Sequence, residues 1–472
     1  MANLNPLQIN ISDISIEKFN FTDKMSLLPQ FVEISIYQSI FEPCIKAEML
    51  VNDQIGLFTN YPFTGEELVT VTYQQLTELG SDRTNSKEIR FIINGVRNIS
   101  ADDRARTLTY VVDLISVEFL QNSRKLVSHA YNDLIEDMAE KLYDEYIKND
   151  TEEKYGKSKP FNKEESIKVR NMVVPNLRPF QAIQWLAKHA VAKDYENHFL
   201  YLFYEDTEGF NFITIQKLIE EALKNRDTLK DNKYRYVSDV EAGRATSTDS
   251  NEDLYLITNL VNNKRFSSIE KIAGGYYQNE LFEISLLQKS YTSTPTELDP
   301  DKLGEFTLEK FPLNTPDYIT YVKNKVEQTE YANRIRYIIN NYEDFDDQNK
   351  SQPNYRYKFG NTNKYTYALN QIDLTITIPA NMNIKAGDII YCDIPENHGF
   401  NMVEVDKYVT GLFIVTETKQ ILSTGNRAAS TLRIQKDGYL NKLLESSLYN
   451  SGTSSRGDYT IDPNTGRVVG GV

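Results

Sequence analysis

The sequence predicts a multidomain α+β chain: two similar antiparallel β-barrel modules, an α+β insertion after the first and a peripheral helical insertion within the second. Three observations predict it. At 472 residues the chain exceeds what a single core serves, so about two to four domains are expected. Alternating, strand-like stretches recur near both ends, in residues 31–119 and 367–434. Between them the hydrophobic period changes from two to about three and a half.

The early stretch opens with Phe31-Val32-Glu33-Ile34-Ser35-Ile36-Tyr37, is broken at Glu42-Pro43 and resumes over 45–51, which predicts a hairpin or an edge. A glycine-led strand, Gly65 to Tyr73, follows. Phe91-Ile92-Ile93 and Leu108-Thr109-Tyr110-Val111-Val112 then flank a polar tip containing Asp102, Asp103 and Arg104. In the late stretch, Ile372, Leu374, Ile376 and Ile378 alternate with polar residues until Pro379, and Gly387 leads the next strand. Leu412-Phe413-Ile414-Val415 and Thr431-Leu432-Arg433-Ile434 flank a second tip containing Asn426 and Arg427. The two stretches therefore read as one strand-rich unit used twice, and three copies of such a chain can imitate a sixfold ring. Early and late segments of unrelated shape, or contributing to one shared sheet, would overturn this duplication reading.

Elsewhere, Ile9 to Ile16 alternates and predicts an exposed edge strand or arm. Leu134, Ile135, Met138, Leu142 and Tyr146 recur at helical spacing, and Pro179 sits at the first turn of a second helix carrying Ile183, Leu186, Ala187 and Ala190. The runs 199–204 and 210–215 predict a hairpin, 224–252 a loop, 254–261 a short helix, and 281–286 a strand of the second module. Gly274-Gly275 reads as a strand start. A helix-like block is expected at 331–339 inside a polar insertion. The resulting division is 1–25 N-terminal arm, 26–121 first barrel, 122–251 α+β insertion, 252–297 first strands of the second barrel, 298–364 peripheral insertion, 365–440 remainder of the second barrel, and 441–472 flexible tail.

Acidic residues outnumber basic ones, 67 to 52, for a formal charge of −15, which disfavours a broad phosphate-binding face. Two cysteines, Cys44 and Cys392, exclude a disulfide framework and are expected to be buried thiols in a reducing compartment. No run of about 18 apolar residues and no signal-peptide pattern occurs, so folding in a cytosol is expected. The 31 tyrosines and 22 phenylalanines suit strands and interfaces.

Chemistry-bearing motifs are weak. His129, His189, His198 and His398 lack zinc-ligand spacing. The acidic run Glu343-Asp344-Phe345-Asp346-Asp347 lacks the glycine and terminal glutamate of a calcium loop. Ala273-Gly274-Gly275 has no phosphate-loop or dinucleotide spacing, no Gly-x-Ser-x-Gly elbow is present, and Arg456-Gly457-Asp458 is a three-letter coincidence. No catalytic, cofactor-binding or metal-binding residue is expected.

The run Phe31 to Pro43, with Ala47-Glu48-Met49-Leu50-Val51-Asn52-Asp53 and Pro62-Phe63-Thr64-Gly65-Glu66-Glu67, resembles the opening barrel of the central baseplate hub protein of contractile-tailed (T-even-type) bacteriophages. Thr375 to Ile390 is similar to the strand–loop–glycine stretch that opens the late strands of tail hubs and tube-like proteins. The resemblance implies tail-tube-like barrels and a homotrimeric, pseudo-hexameric ring that joins a sixfold tail tube to a threefold central spike around a DNA exit channel. It implies as partners the tube or tube-initiator proteins, the spike and other baseplate proteins, with genomic DNA only in passage and no stable membrane insertion. The location implied is the virion tail baseplate, after assembly in the host cytoplasm. Asp102, Asp103, Arg104, Asn426 and Arg427 are the expected equivalent hairpin tips, at assembly interfaces or the lumen. Residues 293–363 and the tail are extra relative to that family and are expected to dock other baseplate proteins. The rival readings are a tail-associated cell-wall glycosidase with an acid pair in the insertion, and a carbohydrate-binding tail module.

Overall fold

The computed structural model describes residues 9–18, 24–75, 86–102, 107–167, 169–193, 200–236, 252–264, 268–276, 278–286, 289–297, 307–309, 311–312, 334–339, 362, 365–396, 405–424, 427–441, 460–461 and 468–469. It is mostly β, with helices concentrated in one insertion and one large mixed sheet.

The first module contains β1 (Ile9–Glu17), β2 (Lys24–Ser26), β3 (Phe31–Ser39), β4 (Lys46–Asp53), β5 (Leu68–Gln75), β6 (Ser86–Asp102) and β7 (Thr107–Ser116), in the spatial order β3-β4-β7-β6-β5-β1-β2. Period-two alternation sends Ile34, Ile36, Met49, Val51, Val69, Val71, Phe91, Val112 and Leu114 into one core and leaves their neighbours outside. The expected N-terminal arm is instead an integral strand. β1 pairs with β5 within the same chain, and Ile14 and Ile16 are fully buried, because three isoleucines on one face gain more from this core than from solvent. Past β2 the chain crosses back over the core: Leu27 donates to the Ile14 carbonyl at 2.7 Å and Asn52 to that of Gln30 at 2.8 Å. No ladder between described strands closes this module into a barrel.

The second module uses β13 (Tyr234–Tyr236), β14 (Leu256–Ile257), β15 (Asn259–Lys264), β20 (Ile372–Pro379), β21 (Ile389–Asp393), β22 (Gly411–Ser423) and β23 (Arg427–Lys436). Its order β15-β20-β23-β22-β21 repeats β3-β4-β7-β6-β5 of the first, every pair antiparallel. The modules are not independent. β22 bulges at Thr416: before the bulge it pairs with β21, and after it residues 417–423 pair antiparallel with β3. The early and late segments therefore share one sheet, contrary to the expectation of two separate barrels. The repeat survives this joining, because strand order recurs on each side of the seam and each side keeps its own core.

The buried run Leu412-Phe413-Ile414-Val415 does not alternate in polarity because both faces are covered. Phe413 and Val415 face one core with Ile376 and Leu432, while Leu412 and Ile414 face another with Ile215 and Ile219.

A short helix, α1 (Leu57–Asn60), precedes β5, and between the modules lie α2 (Val117–Arg124), α3 (Ile135–Tyr143), a π-helical turn (Asp144–Lys148), α4 (Asn149–Tyr155), α5 (Pro179–Ala187), α6 (Ile215–Lys224) and α7 (Arg226–Asp231). They accompany β8 (Ala130–Asp133), β9 (Phe161–Lys163), β10 (Arg170–Val173), β11 (Tyr201–Glu205) and β12 (Phe210–Thr214). The helical stripes and the β11–β12 hairpin fall where the period predicts, around a core containing Met138, Leu142, Phe180, Ile183, Phe203 and Phe210.

Five local expectations fail. Residues 224–252 are not only loop, since α7 and β13 lie there. Of residues 254–261, Leu254 and Tyr255 end a 3-10 turn, Glu252–Tyr255, and β14 and the start of β15 follow instead of a continuing helix; residues around Gly274 are the end of a helix, Ser268–Gly274. The strand at 281–286, β16 (Gln278–Ser285), does not complete the second module; it pairs with β17 (Ser290–Glu297) and β19 (Arg334–Ile339) in a separate sheet. β19 replaces the expected helical block, because Arg334-Ile335-Arg336-Tyr337-Ile338-Ile339 is rich in β-branched and aromatic residues that a neighbouring strand can cover. Within the tail, 460–461 and 468–469 pair as two short strands.

Candidate assembly surface

The joined sheet β15-β20-β23-β22-β3-β4-β7-β6 has one apolar face, covered by the two cores, and one polar face. Ladder registers allow its two halves to be superposed row by row. An inward row Val96–Val112–Met49–Ile34 corresponds to Thr418–Leu432–Ile376–Leu260, and an outward row Gly95–Asp113–Glu48–Ser35 to Glu417–Arg433–Thr375–Val261.

Each half carries an ion triad across the corresponding three strands of that polar face. In the first, Arg97 on β6 holds both carboxylate oxygens of Asp113 on β7, at 2.9 and 3.1 Å, and reaches Glu48 on β4. In the second, Arg433 on β23 binds Asp373 on β20 at 2.7 Å and Glu417 on β22 at 3.1 Å. The charge pattern is permuted: the arginine sits on the flanking strand β6 in the first half and on the middle strand β23 in the second. Burial opposes ionisation of Asp373, yet hydrogen bonds from Arg433, Asn263 and Gln435 outweigh it and hold the carboxyl below its ordinary range. Between the triads runs a groove of about 840 Å³ that crosses the seam, lined by Tyr37, Glu48, Asp113, Glu417, Lys419 and Arg433. The Lys419 ammonium lies 5.5 Å from the Tyr37 ring centroid, across the two modules.

The glycine-led strands also correspond. Gly65 and Gly387 both take left-handed φ values, +88° and +97°, before β5 and β21 respectively. At Gly387 a Cβ would lie 2.4 Å from the Tyr204 hydroxyl, so the insertion packs against this turn. The same hairpin of the insertion touches the first module. Glu205 is fully buried, accepts from the Ile45 amide at 2.8 Å and pairs with Lys159 at 2.5 Å. Burial raises the Glu205 pKa; it also works against the Lys159 ammonium, but the Glu205 carboxylate beside it leaves that pKa above the ordinary value.

Of the residues expected at hairpin tips, Asp102 closes the β6–β7 ladder opposite Thr107, and Arg427 closes β22–β23 opposite Ser423. Asp103, Arg104 and Asn426 lie outside the described residues, as do His198 and His398. The triads were not singled out from the sequence. Their signal is a charged residue at an outward position of an otherwise apolar strand, as with Glu48 and Asp113. Buried acids of the insertion are tied to neighbours: Glu164 to Thr214 and Glu136 to Ser166. Cys44 and Cys392 are buried free thiols, and burial pushes Cys44 up to about 12. Among the described residues no three His, Cys, Asp or Glu side chains gather as a metal-binding group.

No family model matches the sequence. Over 450 residues, 93% of this chain and 97% of the other, it is 23% identical to the probable baseplate hub protein gp334 of Vibrio phage KVP40. The fold is similar to that of the 43 kDa tail protein of prophage MuSo2 from Shewanella oneidensis, with a TM-score of 0.51 and 9% identity, covering 90% of this chain and 98% of that one. A tail protein from Neisseria meningitidis aligns over 90% of this chain and 96% of its own, with a TM-score of 0.46 and 10% identity.

Proposed function

We propose that this chain, which resembles phage baseplate hub proteins along nearly its whole length, is a structural hub of a contractile tail's baseplate. Three copies form a ring of six pseudo-equivalent modules that adapts a sixfold tail tube to a threefold central spike, with DNA leaving through the bore. Its two modules act as tail-tube-like barrel units, and the hairpin tips containing Asp102–Arg104 and Asn426–Arg427 sit at equivalent places in the ring. The observation that carries this reading is the repeated strand order on the two sides of one continuous sheet. A single chain already sets two like modules side by side, which is what a threefold-to-sixfold adaptor requires. The polar face of the joined sheet suits a bore, since its charges are paired in triads and the chain's net charge of −15 disfavours retention of DNA. Further partners are tube or tube-initiator proteins above, the spike below and other baseplate proteins at the peripheral insertion and tail; the place of action is the virion, after assembly in the host cytoplasm.

The protein is proposed to work through interfaces and not through catalysis. Acids of the insertion that a glycosidase would need serve here as clamps, Glu205 on Ile45 and Lys159 foremost. Sedimentation equilibrium is expected to give the trimer mass, and negative-stain images six similar lobes around a hole. A monomer or a particle without a central hole would overturn the reading, and hydrolysis of peptidoglycan by the pure protein would move it to the glycosidase class.

A further inference from the structure

Three consecutive residues of the peripheral insertion, Thr307, Leu308 and Glu309, are buried where the insertion helices meet the second module. Leu308 shares one core with Ile215 and Ile219 of α6, Tyr391 of β21 and Leu412 of β22. Just beyond, β18 (Phe311–Pro312) pairs antiparallel with β24 (Gly438–Tyr439). That ladder is only two residues long, so the fastening falls to charged side chains.

The Glu309 carboxylate accepts from the Leu412 amide at 2.7 Å and from the Arg226 guanidinium of α7 at 2.6 Å. The Leu308 amide donates to both oxygens of the Asp437 carboxyl, at 3.1 and 3.0 Å. Lys436, beside Asp437, donates to the carbonyls of Val409 and Thr410 at 2.8 and 3.1 Å and lies 4.9 Å from the Phe413 ring centroid. Gly411 makes the room for this: it takes a φ of +138°, and a Cβ there would overlap the Glu309 carboxylate. Glu309, Lys436 and Asp437 are each no more than 4% exposed. A joint built of buried charges is costly to keep closed unless every charge is matched.

The titratable groups facing the Asp437 carboxyl are Glu309 from the docked segment and Lys436 from its own strand end, with Gln216 of α6 and Tyr365 around a cavity of about 20 Å³ that Asp437 also lines. Arg226 and Cys392 of β21 face Lys436. Burial, more than any of these groups, opposes ionisation of Asp437 and puts its pKa at about 7, against an ordinary 3.8.

We propose that Thr307-Leu308-Glu309 and β18 form a proton-operated clasp, closed while the Asp437 carboxyl is neutral, that lets go of the joint as the carboxyl ionises and leaves the joined sheet paired. Opening wets Asp437, and the wetted carboxyl loses its proton at the lower pH. Opening therefore grows, by up to about tenfold per pH unit, between pH 3.8 and about 7, and levels off above that. Burial lowers Lys436 from 10.5 to about 8, so the clasp tightens again as pH rises from about 8 toward 10.5. It is loosest between those windows, and what it frees is the chain that joins β17 to β19 of the peripheral sheet. The clasp needs no second copy and stands apart from the ring reading.

Hydrogen–deuterium exchange of the full chain, read by mass spectrometry across this pH range and divided by the intrinsic rate at each pH, tests it. Protection of the peptide holding Leu308 is expected to fall by close to tenfold per pH unit on the acid side of 7, to stay low up to about 8 and to recover above. Peptides of the β22–β3 seam keep a constant protection over the same range. In Asp437→Asn the fall on the acid side is expected to vanish. Wild-type protection at Leu308 that ignores pH, or that changes in step with the seam, overturns the clasp, and so does an undiminished fall in Asp437→Asn; if that variant does not fold, the wild-type profile decides alone.

Discussion

At the scale of single residues, stability hangs on a few buried charges that stitch segments together. Lys159→Ala removes the only ammonium bonded to the fully buried Glu205 among the described contacts. Leaving such a charge unpaired costs about 3–5 kcal/mol, so urea denaturation is expected to show that loss, and adding Glu205→Gln to recover part of it. Asp437 accepts two hydrogen bonds from the Leu308 amide, at 3.0 and 3.1 Å, and burial pushes its carboxyl up to about 7 from an ordinary 3.8. Between those values the folded chain holds a proton that the unfolded chain has released. The contribution of this group is therefore complete below pH 3.8 and is lost as pH rises through about 7. Lys436 next to it behaves oppositely in a different window. Burial lowers it from 10.5 to about 8, so its contribution grows as pH rises from about 8 toward 10.5. Because the side-chain amide in Asp437→Asn stays neutral at every pH, the melting temperature of that variant relative to wild type is expected to rise steadily from pH 4 to 7; a constant difference would contradict the assignment.

At the scale of elements, the decisive pieces are turns that aim strands and bulges that divide them. Gly387→Ala meets both a left-handed φ and the Tyr204 hydroxyl, whereas at Gly65 the nearest atom to an added Cβ is 3.7 Å away. Both substitutions carry backbone strain of about 1–3 kcal/mol, and the loss in thermal stability is expected to be larger at Gly387. Equal losses would mean that the Tyr204 contact is irrelevant. In the paired strands, Ile376 is fully buried in the second core, so Ile376→Ala is expected to cost about 2–5 kcal/mol by denaturant titration. Ile376→Asp is expected to abolish folding, and a soluble trimer from that variant would contradict the role given to this face.

At the scale of the whole molecule, one strand serves two modules, and that sharing makes their relative placement rigid. Ser35 and Ile421 oppose each other across the seam. Ser35→Cys with Ile421→Cys is therefore expected to form a disulfide within one chain, seen as a faster-migrating monomer on a non-reducing gel with no gain in mass. A link between chains instead would mean that β22 is exchanged between copies. The chain thus holds its two like modules together through one seam of its own, between β22 and β3.

Much of this was legible in the residues. Period two in 31–37, 45–51 and 372–378, glycines at 65 and 387, and two long hairpins disclosed the repeated unit, because strand alternation and left-handed turns are local properties of the chain. The helical stripes around Met138 and Ile183 were equally local. Local periodicity misled where neighbours decide the outcome. Ile9 to Ile16 reads as an exposed edge strand or arm and is a strand with Ile14 and Ile16 buried against β5, residues 259–261 of the expected short helix pair with β20, and 334–339 pair with β16. The sequence by itself determined that one β-rich unit occurs twice and which residues of each strand face inward. Only the tertiary structure decided that the two units join through β22 and β3, since backbone pairing between strands hundreds of residues apart leaves no period in either. It also decided which strands lie at the ends of the sheet among the described residues, because an edge is defined by the rest of the fold and not by the strand itself.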